Sequence, residues 1–325
     1  MTKKSNFLRP IDAFMAEKSS DFDVAIIGGG PGGLSAALWS ADLGLKTVIL
    51  EKEERFGGQL LWTFGAIKNY LGLGSAQDGR ALRDRFLQHI ENADVTRFTE
   101  SEVLSSDLVR KTIDLVDGTQ VSSQAIIIAT GVRRRNLGVP GEDEFQGRGV
   151  LDSGTRAKGE VAGRPVLIVG GGDAALENAL ILADAAKRVI VVHRRDELTA
   201  RHEFVERARR NPNIDFLSHT LVTAIIGDSR VAGVNLQDAV TGVRSKAVVD
   251  SVLIRIGVIP NTEIFVDQLA VDAAGYIPIN SSCETAIPGV FAIGDVANPS
   301  SPTISTAVGN GATAGKLAAA FIHKS

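Results

Sequence analysis

Three glycines near the beginning of the chain follow an apolar run in the spacing G-x-G-x-x-G. The run covers residues 24–27, and the glycines are Gly28, Gly30 and Gly33, with Pro31 inside the loop. The first glycine permits a tight turn, the second lets backbone N–H groups reach a pyrophosphate, and the third lets a helix pack closely on a strand. The spacing therefore predicts a phosphate-binding loop.

An acidic residue follows where a nucleotide site requires one. A helix is predicted over residues 34–43, and a second strand over residues 47–50 delivers Glu51. A carboxylate there accepts hydrogen bonds from ribose hydroxyls and repels a 2′-phosphate, so the first nucleotide is ADP-like, as in FAD or NAD. The alternative is a sheet without a ligand, and the order strand, turn, helix, strand and acid favours the nucleotide.

A second copy of this pattern begins with an apolar strand over residues 165–169. Its loop residues are Gly170, Gly172, Asp173 and Ala175, in the spacing G-x-G-x-x-A. A helix to about residue 186 and a strand over residues 189–192 follow. The repeat predicts two dinucleotide-binding domains of one architecture.

The second copy does not end its second strand with an acid. His193, Arg194 and Arg195 stand there instead. Guanidinium groups beside the ribose favour a 2′-phosphate through charge-assisted, bidentate contacts. We therefore predict NADPH rather than NADH, with an exposed basic turn as the alternative.

Further candidate residues lie at strand ends and loops outside the two glycine motifs. Gly58 is the second of two consecutive glycines, and the amide side chain of Gln59 follows it. This pattern suits a loop that touches a flat ring. A strand over residues 288–295 delivers an aspartate that can hold a ribitol hydroxyl, and the following helix N-terminus can face a flavin carbonyl. The strand-end and helix-start residues concerned are Thr130, Gly131, Gly294, Asp295, Thr303 and Ile304.

These elements predict an α/β chain with two Rossmann-like dinucleotide-binding domains, the NADPH domain being inserted into a discontinuous FAD domain. We expect the FAD domain over residues 21–135 and 257–325 and the NADPH domain over residues 136–256. Residues 1–20 form an extension in which apolar residues at helical spacing, between 7 and 15, predict a short amphipathic segment. This segment can pack against its own subunit, against a dimer mate or against an external partner.

Composition narrows the function classes. The formal net charge of −3 argues against nucleic acid and membrane surfaces as partners. Cys283 is the only cysteine, so no intramolecular disulfide and no thiolate metal cluster can form, and we expect no metal site. The sequence has neither a signal-peptide pattern nor a long apolar run, and the cytoplasm is the expected location.

The motifs together resemble the low-molecular-weight thioredoxin reductases. The resemblance covers nearly everything after residue 20 and implies FAD, NADPH and a homodimer. It implies that Glu51 binds the adenosine ribose, that Gln59 and Asn69 lie beside the isoalloxazine, and that Asp295 binds the ribitol. It also implies that Arg194 and Arg195 hold the 2′-phosphate.

The chain departs from this family at the redox-active dithiol. The family carries Cys-x-x-Cys-Asp between Gly-Arg-Gly-Val and the second glycine motif, whereas Ser153, Arg156 and Ala157 stand at those positions here. Neither a hydroxyl nor a guanidinium can carry two electrons as a disulfide. Cys283 lies elsewhere, just before the last strand, and is interpreted as a small buried or rim residue rather than a redox centre.

The favoured hypothesis is an FAD-dependent enzyme that oxidises NADPH and passes the electrons directly to an external acceptor. Hydride transfer is the cofactors' own chemistry, so no protein group is required as acid, base or nucleophile. Ferredoxin or flavodoxin, a quinone, free flavin and oxygen are all compatible acceptors, and the cysteine-free, thioredoxin-reductase-like ferredoxin–NADP reductases are the related precedent. The alternatives are a flavoprotein that serves as a binding or regulatory module, and a ferredoxin-driven flavoenzyme that no longer uses NADPH.

Overall fold

The computed structural model describes residues 19–74 and 77–324. The amphipathic segment expected between residues 7 and 15 lies outside them. The helices are α1 (Pro31–Asp42), α2 (Gly79–His89), α3 (Gly154–Ala157), α4 (Asp173–Ala183), α5 (His202–Arg210) and α6 (Ile304–Ile322), with 3₁₀ turns at Gly58–Trp62 and Gly294–Val296. The strands are β1 (Ser19–Ile27), β2 (Thr47–Leu50), β3 (Val95–Phe98), β4 (Val103–Asp107), β5 (Thr112–Leu115), β6 (Gln120–Ile128), β7 (Val132–Arg134), β8 (Val150–Leu151), β9 (Pro165–Val169), β10 (Arg188–Val192), β11 (Ile214–Leu217), β12 (Thr220–Gly227), β13 (Val231–Asp238), β14 (Arg244–Ala247), β15 (Ser251–Ile254), β16 (Val258–Pro260) and β17 (Val290–Ala292).

The chain divides into two compact units. The first unit contains the chain up to Arg133 and from Ile259 onward, and the second contains Arg134–Val258. The chain therefore crosses between them twice, and the strands at the crossings, β7 and β16, pair with each other in a two-stranded sheet. We describe each unit by itself.

The first unit is built on a seven-stranded sheet in the order β3-β2-β1-β6-β5-β4, with β17 also paired to β6. The pairs of β1 with β2 and β6 are parallel, whereas β4, β5 and β6 form an antiparallel meander. Ala25 and Ile27 of β1 enter one buried apolar cluster, and Val24 and Ile26 enter another. Because side chains alternate along a strand, this separation means that both faces of the sheet are covered.

Helices α1 and α6 cover one of those faces with small residues. A Cβ at Gly311 of α6 would come within 2.4 Å of the carbonyl oxygen of Gly32 in α1, so the two helices touch through their backbones. The hydroxyl of Ser35 also donates to the carbonyl of Val308 at 2.7 Å. This close packing fixes the N-terminus of α6 relative to the glycine loop that precedes α1.

The second unit contains a parallel five-stranded sheet in the order β11-β10-β9-β15-β8. Helices α4 and α5 pack on one face, where the buried cluster includes Leu176, Leu182 and Ala208. An antiparallel sheet of β12, β13 and β14 contributes Val222, Val234 and other residues to the cluster on the opposite face. The carboxyl ends of β9, β10 and β15 therefore share one edge, where α/β folds bind nucleotides.

The sequence pattern predicts a hairpin over residues 111–122, a separate buried strand over 125–129 and an irregular segment over 132–140. The hairpin is confirmed by the antiparallel pairing of β5 with β6, and the other two expectations are wrong. The second strand of the hairpin predicted over residues 111–122 and the buried strand predicted over 125–129 form one strand, β6, whose polar half pairs with β5 and whose apolar half pairs with β1. Residues 132–140, expected to be irregular, contain β7, because the crossing segment finds backbone partners in β16. Periodicity alone missed both features since neither segment has a uniform apolar face.

None of the helices in the described ranges is long and apolar enough to cross a membrane.

Candidate functional site

The glycine loop of the first unit is shaped by backbone contacts that exclude side chains. Gly28 has φ +110°, and a Cβ there would lie 2.4 Å from the carbonyl oxygen of Ala129. A Cβ at Gly33 would lie 1.9 Å from the carbonyl oxygen of Gly28, and one at Gly58 would lie 3.0 Å from Cα of Gly30. Two loops thus meet backbone to backbone, as a cradle for a phosphate group must.

Helix α1 begins at this loop with unsatisfied donors. Gly30 is the N-cap, no side chain caps the helix, and Pro31 occupies the first turn. The first N–H groups of a helix lack internal partners and carry the positive end of the helix dipole. The loop therefore suits an anion such as a pyrophosphate.

Glu51 ties the end of β2 to the glycine loop. Its Oε2 accepts from the backbone N–H of Gly29 at 2.9 Å, and its Oε1 accepts from that of Glu53 at 3.0 Å. Burial raises the pKa of this carboxyl, while the two backbone hydrogen bonds lower it. Each carboxylate oxygen keeps further acceptor capacity, so ribose hydroxyls can bind without displacing the backbone donors.

Gln59 and Asp295 lie together although 236 positions separate them. The Gln59 Nε2 donates to Oδ2 of Asp295 at 2.7 Å. Burial raises the pKa of the Asp295 carboxyl, and the hydrogen bond from Gln59 lowers it. The preceding residue, Gly294, has φ +68° and begins the 3₁₀ turn that contains the aspartate.

The end of β6 is fastened by an asparagine that the sequence analysis did not select. The hydroxyl of Thr130 donates to the carbonyl of Asn261 at 2.7 Å, and Nδ2 of Asn261 donates back to the carbonyl of Thr130 at 2.8 Å. Gly131 has φ +64° and accepts from the backbone N–H of Asn261 at 3.0 Å. The sequence signal that could have identified Asn261 is its position directly after a proline, in the segment where the chain is predicted to pass from one domain to the other.

The start of α6 lies where the sequence predicts it. Thr303 is the N-cap, its hydroxyl accepts from the backbone N–H of Thr306 at 3.1 Å, and Ile304 is the first helical residue. Asn69, in contrast, lies exposed in a loop, and in the described part of the chain it forms no hydrogen bond with the other candidate residues.

The glycine loop of the second unit has a similar shape. Gly170 has φ +140°, and a Cβ there would come within 2.1 Å of the carbonyl oxygen of Arg255. Gly172 is the N-cap of α4 and has no side-chain capping bond, while the methyl group of Ala175 is fully buried. The carbonyl of Gly171 accepts from the N–H groups of Thr199 and Ala200 at 2.9 and 3.1 Å, so the segment after β10 folds over the loop.

Asp173 is held by an arginine that the sequence analysis did not name. Its carboxylate accepts from the backbone N–H and from Nε of Arg201, both at 2.7 Å. Both side chains are largely exposed. Arg201 therefore adds a cation near the start of α4.

The three residues after β10 differ in exposure. His193 is 8% exposed, and burial is the main reason that the pKa of its imidazole is lowered; His219 lowers it further and Asp196 raises it. Arg194 and Arg195 are exposed, and neither forms an ion pair with a described residue. Two guanidiniums thus stand in solvent at the end of β10, the position at which a 2′-phosphate is read.

Ser153 and Arg156, which the sequence resemblance places at the family's cysteine positions, lie at the start of α3. Ser153 is buried and caps α3, because its hydroxyl accepts from the backbone N–H of Arg156 at 3.5 Å. Gly154 donates to Oδ1 of Asn178 at 3.0 Å, and a Cβ at Gly154 would lie 2.4 Å from that oxygen. Arg156 is exposed.

Cys283 is 2% exposed, as expected for a core residue. Burial raises the pKa of its thiol, and a hydrogen bond with Asn310 opposes that shift. The reactive form of cysteine is the thiolate, so this environment disfavours nucleophilic chemistry. In the described ranges no group of three or more His, Cys, Asp or Glu side chains is placed to hold a metal ion.

Comparison with known proteins gives consistent matches over nearly the whole chain. A family model described as pyridine nucleotide-disulphide oxidoreductase matches residues 22–311. Thioredoxin reductase of Mycolicibacterium smegmatis is 36% identical over 303 residues, which are 92% of this chain and 96% of that protein.

Solved structures give the same result. Lactococcus lactis thioredoxin reductase matches with a TM-score of 0.82 and 33% identity over 94% of this chain and 100% of that one. T. acidophilum thioredoxin reductase matches with a TM-score of 0.79 and 31% identity over 92% and 98%. These likenesses confirm the predicted fold class, two Rossmann-like domains in an α/β chain.

Proposed function

This chain belongs to the pyridine nucleotide-disulphide oxidoreductase family, and from that premise we propose that it oxidises NADPH and delivers the electrons to an external acceptor without a dithiol relay. It is an FAD-dependent pyridine nucleotide oxidoreductase of the thioredoxin reductase type, and FAD and NADPH are the cofactors that thioredoxin reductases use. One observation carries the proposal. Cys283 is the only cysteine in the sequence, and Ser153 and Arg156 stand where the resemblance places the family's reactive cysteines.

We assign FAD to the first unit. The loop of Gly28, Gly30 and Gly33 would hold the pyrophosphate, since it leaves no room for side chains at Gly28 or Gly33 and α1 begins there without a side-chain cap. Glu51 would bind the adenosine ribose, and Asp295 would bind the ribitol while Gln59 keeps its carboxylate in place. The N-terminus of α6 would stabilise negative charge on the flavin ring.

NADPH is assigned to the second unit. The loop of Gly170 and Gly172 at the start of α4 would hold its pyrophosphate. Arg194 and Arg195, exposed and without ion pairs to described residues, would hold the 2′-phosphate by charge-assisted hydrogen bonds.

FAD, when bound, would supply the redox chemistry that connects NADPH oxidation to reduction of the acceptor. The chain binds and aligns the two nucleotides through the residues named above. In a dithiol relay the next carrier is a pair of cysteines, and a buried, protonated thiol at Cys283 cannot replace it alone. The acceptor must then take electrons directly, as a quinone, a free flavin, oxygen, ferredoxin or flavodoxin can.

The relatives' names suggest the competing function, reduction of thioredoxin. The test is anaerobic mixing of the holoenzyme with NADPH, followed by a panel of acceptors with and without thioredoxin. We expect rapid loss of the oxidised flavin absorbance, turnover with at least one direct acceptor, and no turnover that depends on thioredoxin.

A cysteine-free variant makes the test sharper. Cys283→Ala removes the last thiol in the sequence, so its turnover with direct acceptors should equal that of the wild type. NADPH-driven thioredoxin reduction by the wild type that disappears in this variant would overturn the proposal. Failure of NADPH to reduce the flavin would also overturn it, and would favour a ferredoxin-driven enzyme or a binding module.

A further inference from the structure

Two arginines of the second unit converge on a single carbonyl oxygen. Nη2 of Arg255 donates to the backbone oxygen of Asp152 at 2.6 Å, and Nη1 of Arg134 donates to the same atom. Nη1 of Arg255 also donates to the carbonyl of Ile254 at 2.6 Å. We call Arg134 and Arg255 the arginine pair.

The positive charge of the arginine pair is not neutralised by a direct ion pair. Neither guanidinium has a carboxylate oxygen of a described residue within 4.0 Å. Burial and the charge of Arg134 lower the pKa of Arg255 to about 10, and the more distant Asp152 carboxylate only opposes that shift. Burial also lowers the pKa of Arg134. A neutral carbonyl satisfies the N–H groups but leaves two like charges together, an arrangement that an added anion would stabilise.

The arginine pair lies at the same carboxyl edge of the sheet as the nucleotide loop, but its side chains extend to the β8 side of β15. Strand β15 lies between β9, which carries the glycine loop, and β8. The backbone of Arg255 adjoins Gly170, but its side chain extends to Asp152, just past the end of β8. Ser153 follows directly and begins α3, so the arginine pair borders the segment that carries the dithiol in the resembled family.

We propose that the arginine pair binds the electron acceptor, and that this acceptor is a small redox-active molecule with a phosphate, carboxylate or sulfonate group. The inference rests on the proposed function and adds the chemical class of its substrate. Two planar guanidinium forks match one oxyanion with bidentate geometry. An acidic protein would need a wider basic surface than two side chains provide.

Riboflavin and FMN are a matched pair of probes because they share one redox-active ring and differ by a single phosphate. The reaction measured is NADPH + H⁺ + FMN → NADP⁺ + FMNH₂, in which the two electrons arrive as a hydride and the second proton comes from solvent. At low salt we expect kcat/KM for FMN to exceed that for riboflavin by about tenfold to hundredfold, the range for hydrogen bonds to a charged group. Added salt should reduce the difference.

Variants assign the difference to the arginine pair. Arg134→Gln and Arg255→Gln should each lower kcat/KM for FMN about fivefold to tenfold and leave the value for riboflavin unchanged. Arg255 supports the end of β15 through Ile254, so Arg134→Gln is the safer variant if Arg255→Gln folds poorly. Arg255→Lys should show an intermediate loss, because an ammonium keeps the charge but not the fork. Arg244→Gln, an exposed arginine of β14, is the matched control.

Other outcomes separate the inference from the proposed function. Equal rates with riboflavin and FMN, or no reduction of either by an enzyme that is active with other acceptors, would overturn the inference alone. A raised KM for NADPH in the arginine-pair variants would place the pair in the nucleotide site and overturn the inference. Variants that slow electron transfer only to an acidic protein such as ferredoxin would also overturn it, because the acceptor would then be a protein and not a small molecule. Flavin that NADPH does not reduce would overturn the proposed function itself.

Discussion

The two units use the same order of strand, glycine loop, helix and strand, but they end it with opposite chemistry. In the first unit the buried carboxylate of Glu51 is already bonded to the glycine loop through Gly29. In the second unit the chain ends β10 with a buried imidazole and two exposed guanidiniums, Arg194 and Arg195.

This difference indicates how tightly each unit should hold its nucleotide. A site whose recognition group is fixed by the backbone and shielded from water loses little entropy on binding and is weakly screened by salt. A site that relies on exposed arginines must order long side chains and competes with salt. We therefore expect the first unit to retain its nucleotide as a cofactor and the second to exchange its nucleotide as a substrate.

The largest effect should come from Gly33→Ala, which places a side chain in the glycine loop of the first unit, the more rigid of the two loops. The added Cβ would lie 1.9 Å from the carbonyl oxygen of Gly28, so α1 must move away from β1. We expect destabilisation of about 3 kcal/mol or more and purification without bound FAD. Absorbance of the purified protein and its thermal midpoint measure both effects.

The second unit supplies the control for this substitution. Its equivalent position is Ala175, whose methyl group is already accommodated in the core. Ala175→Gly should cost about 1 kcal/mol from helix propensity and a small cavity, with FAD content unchanged. A Gly33→Ala protein that keeps a full complement of FAD would show that the first cradle is not rigid.

The next effect should be confined to the second unit. Changing both Arg194 and Arg195 to Ala removes two charged donors, so we expect KM for NADPH to rise about hundredfold while KM for NADH stays the same. The dependence of KM for NADPH on salt should flatten as well. Steady-state kinetics with both nucleotides at several ionic strengths measure this, and an unchanged ratio of NADPH to NADH would contradict the assignment of the 2′-phosphate.

The contrast between the units also explains what the sequence could reveal. Glycine spacing and strand-end residues are local signals, so the sequence predicts the order of strand, loop and helix in both units, Glu51 after β2 and a helix cap at Thr303, and the structure contains these elements. The binding roles of these residues stay predictions. The bond between Gln59 and Asp295 joins residues 236 positions apart, and only the fold brings them together.

The arginine pair was missed for the same reason. Arg134 lies in a crossing segment that has no apolar period, and its partner Arg255 ends a strand of the inserted unit. The run of three arginines at residues 133–135 predicts a solvated linker face or a phosphate contact, yet Arg133 pairs with Glu263 while Arg134 donates to the carbonyl of Asp152. A run of like residues does not indicate which member has a partner, because each partner comes from a distant part of the chain.

The smallest effect should be a pH dependence of stability that arises from the buried imidazole of His193 in the second unit. Burial lowers the pKa of this imidazole in the folded state, so below about pH 6.5 the unfolded chain binds more protons than the folded one. Stability should therefore fall as the pH drops from about 6.5 through the lowered value, by less than about 1.4 kcal/mol per pH unit for one proton. His193→Gln should make the decrease in thermal midpoint over this window shallower, whereas His202→Gln, at an exposed position in α5, should leave it as in the wild type. Identical pH profiles for the wild type and His193→Gln would contradict this prediction. They would mean that burial of the imidazole after β10 does not make the stability of the protein depend on pH.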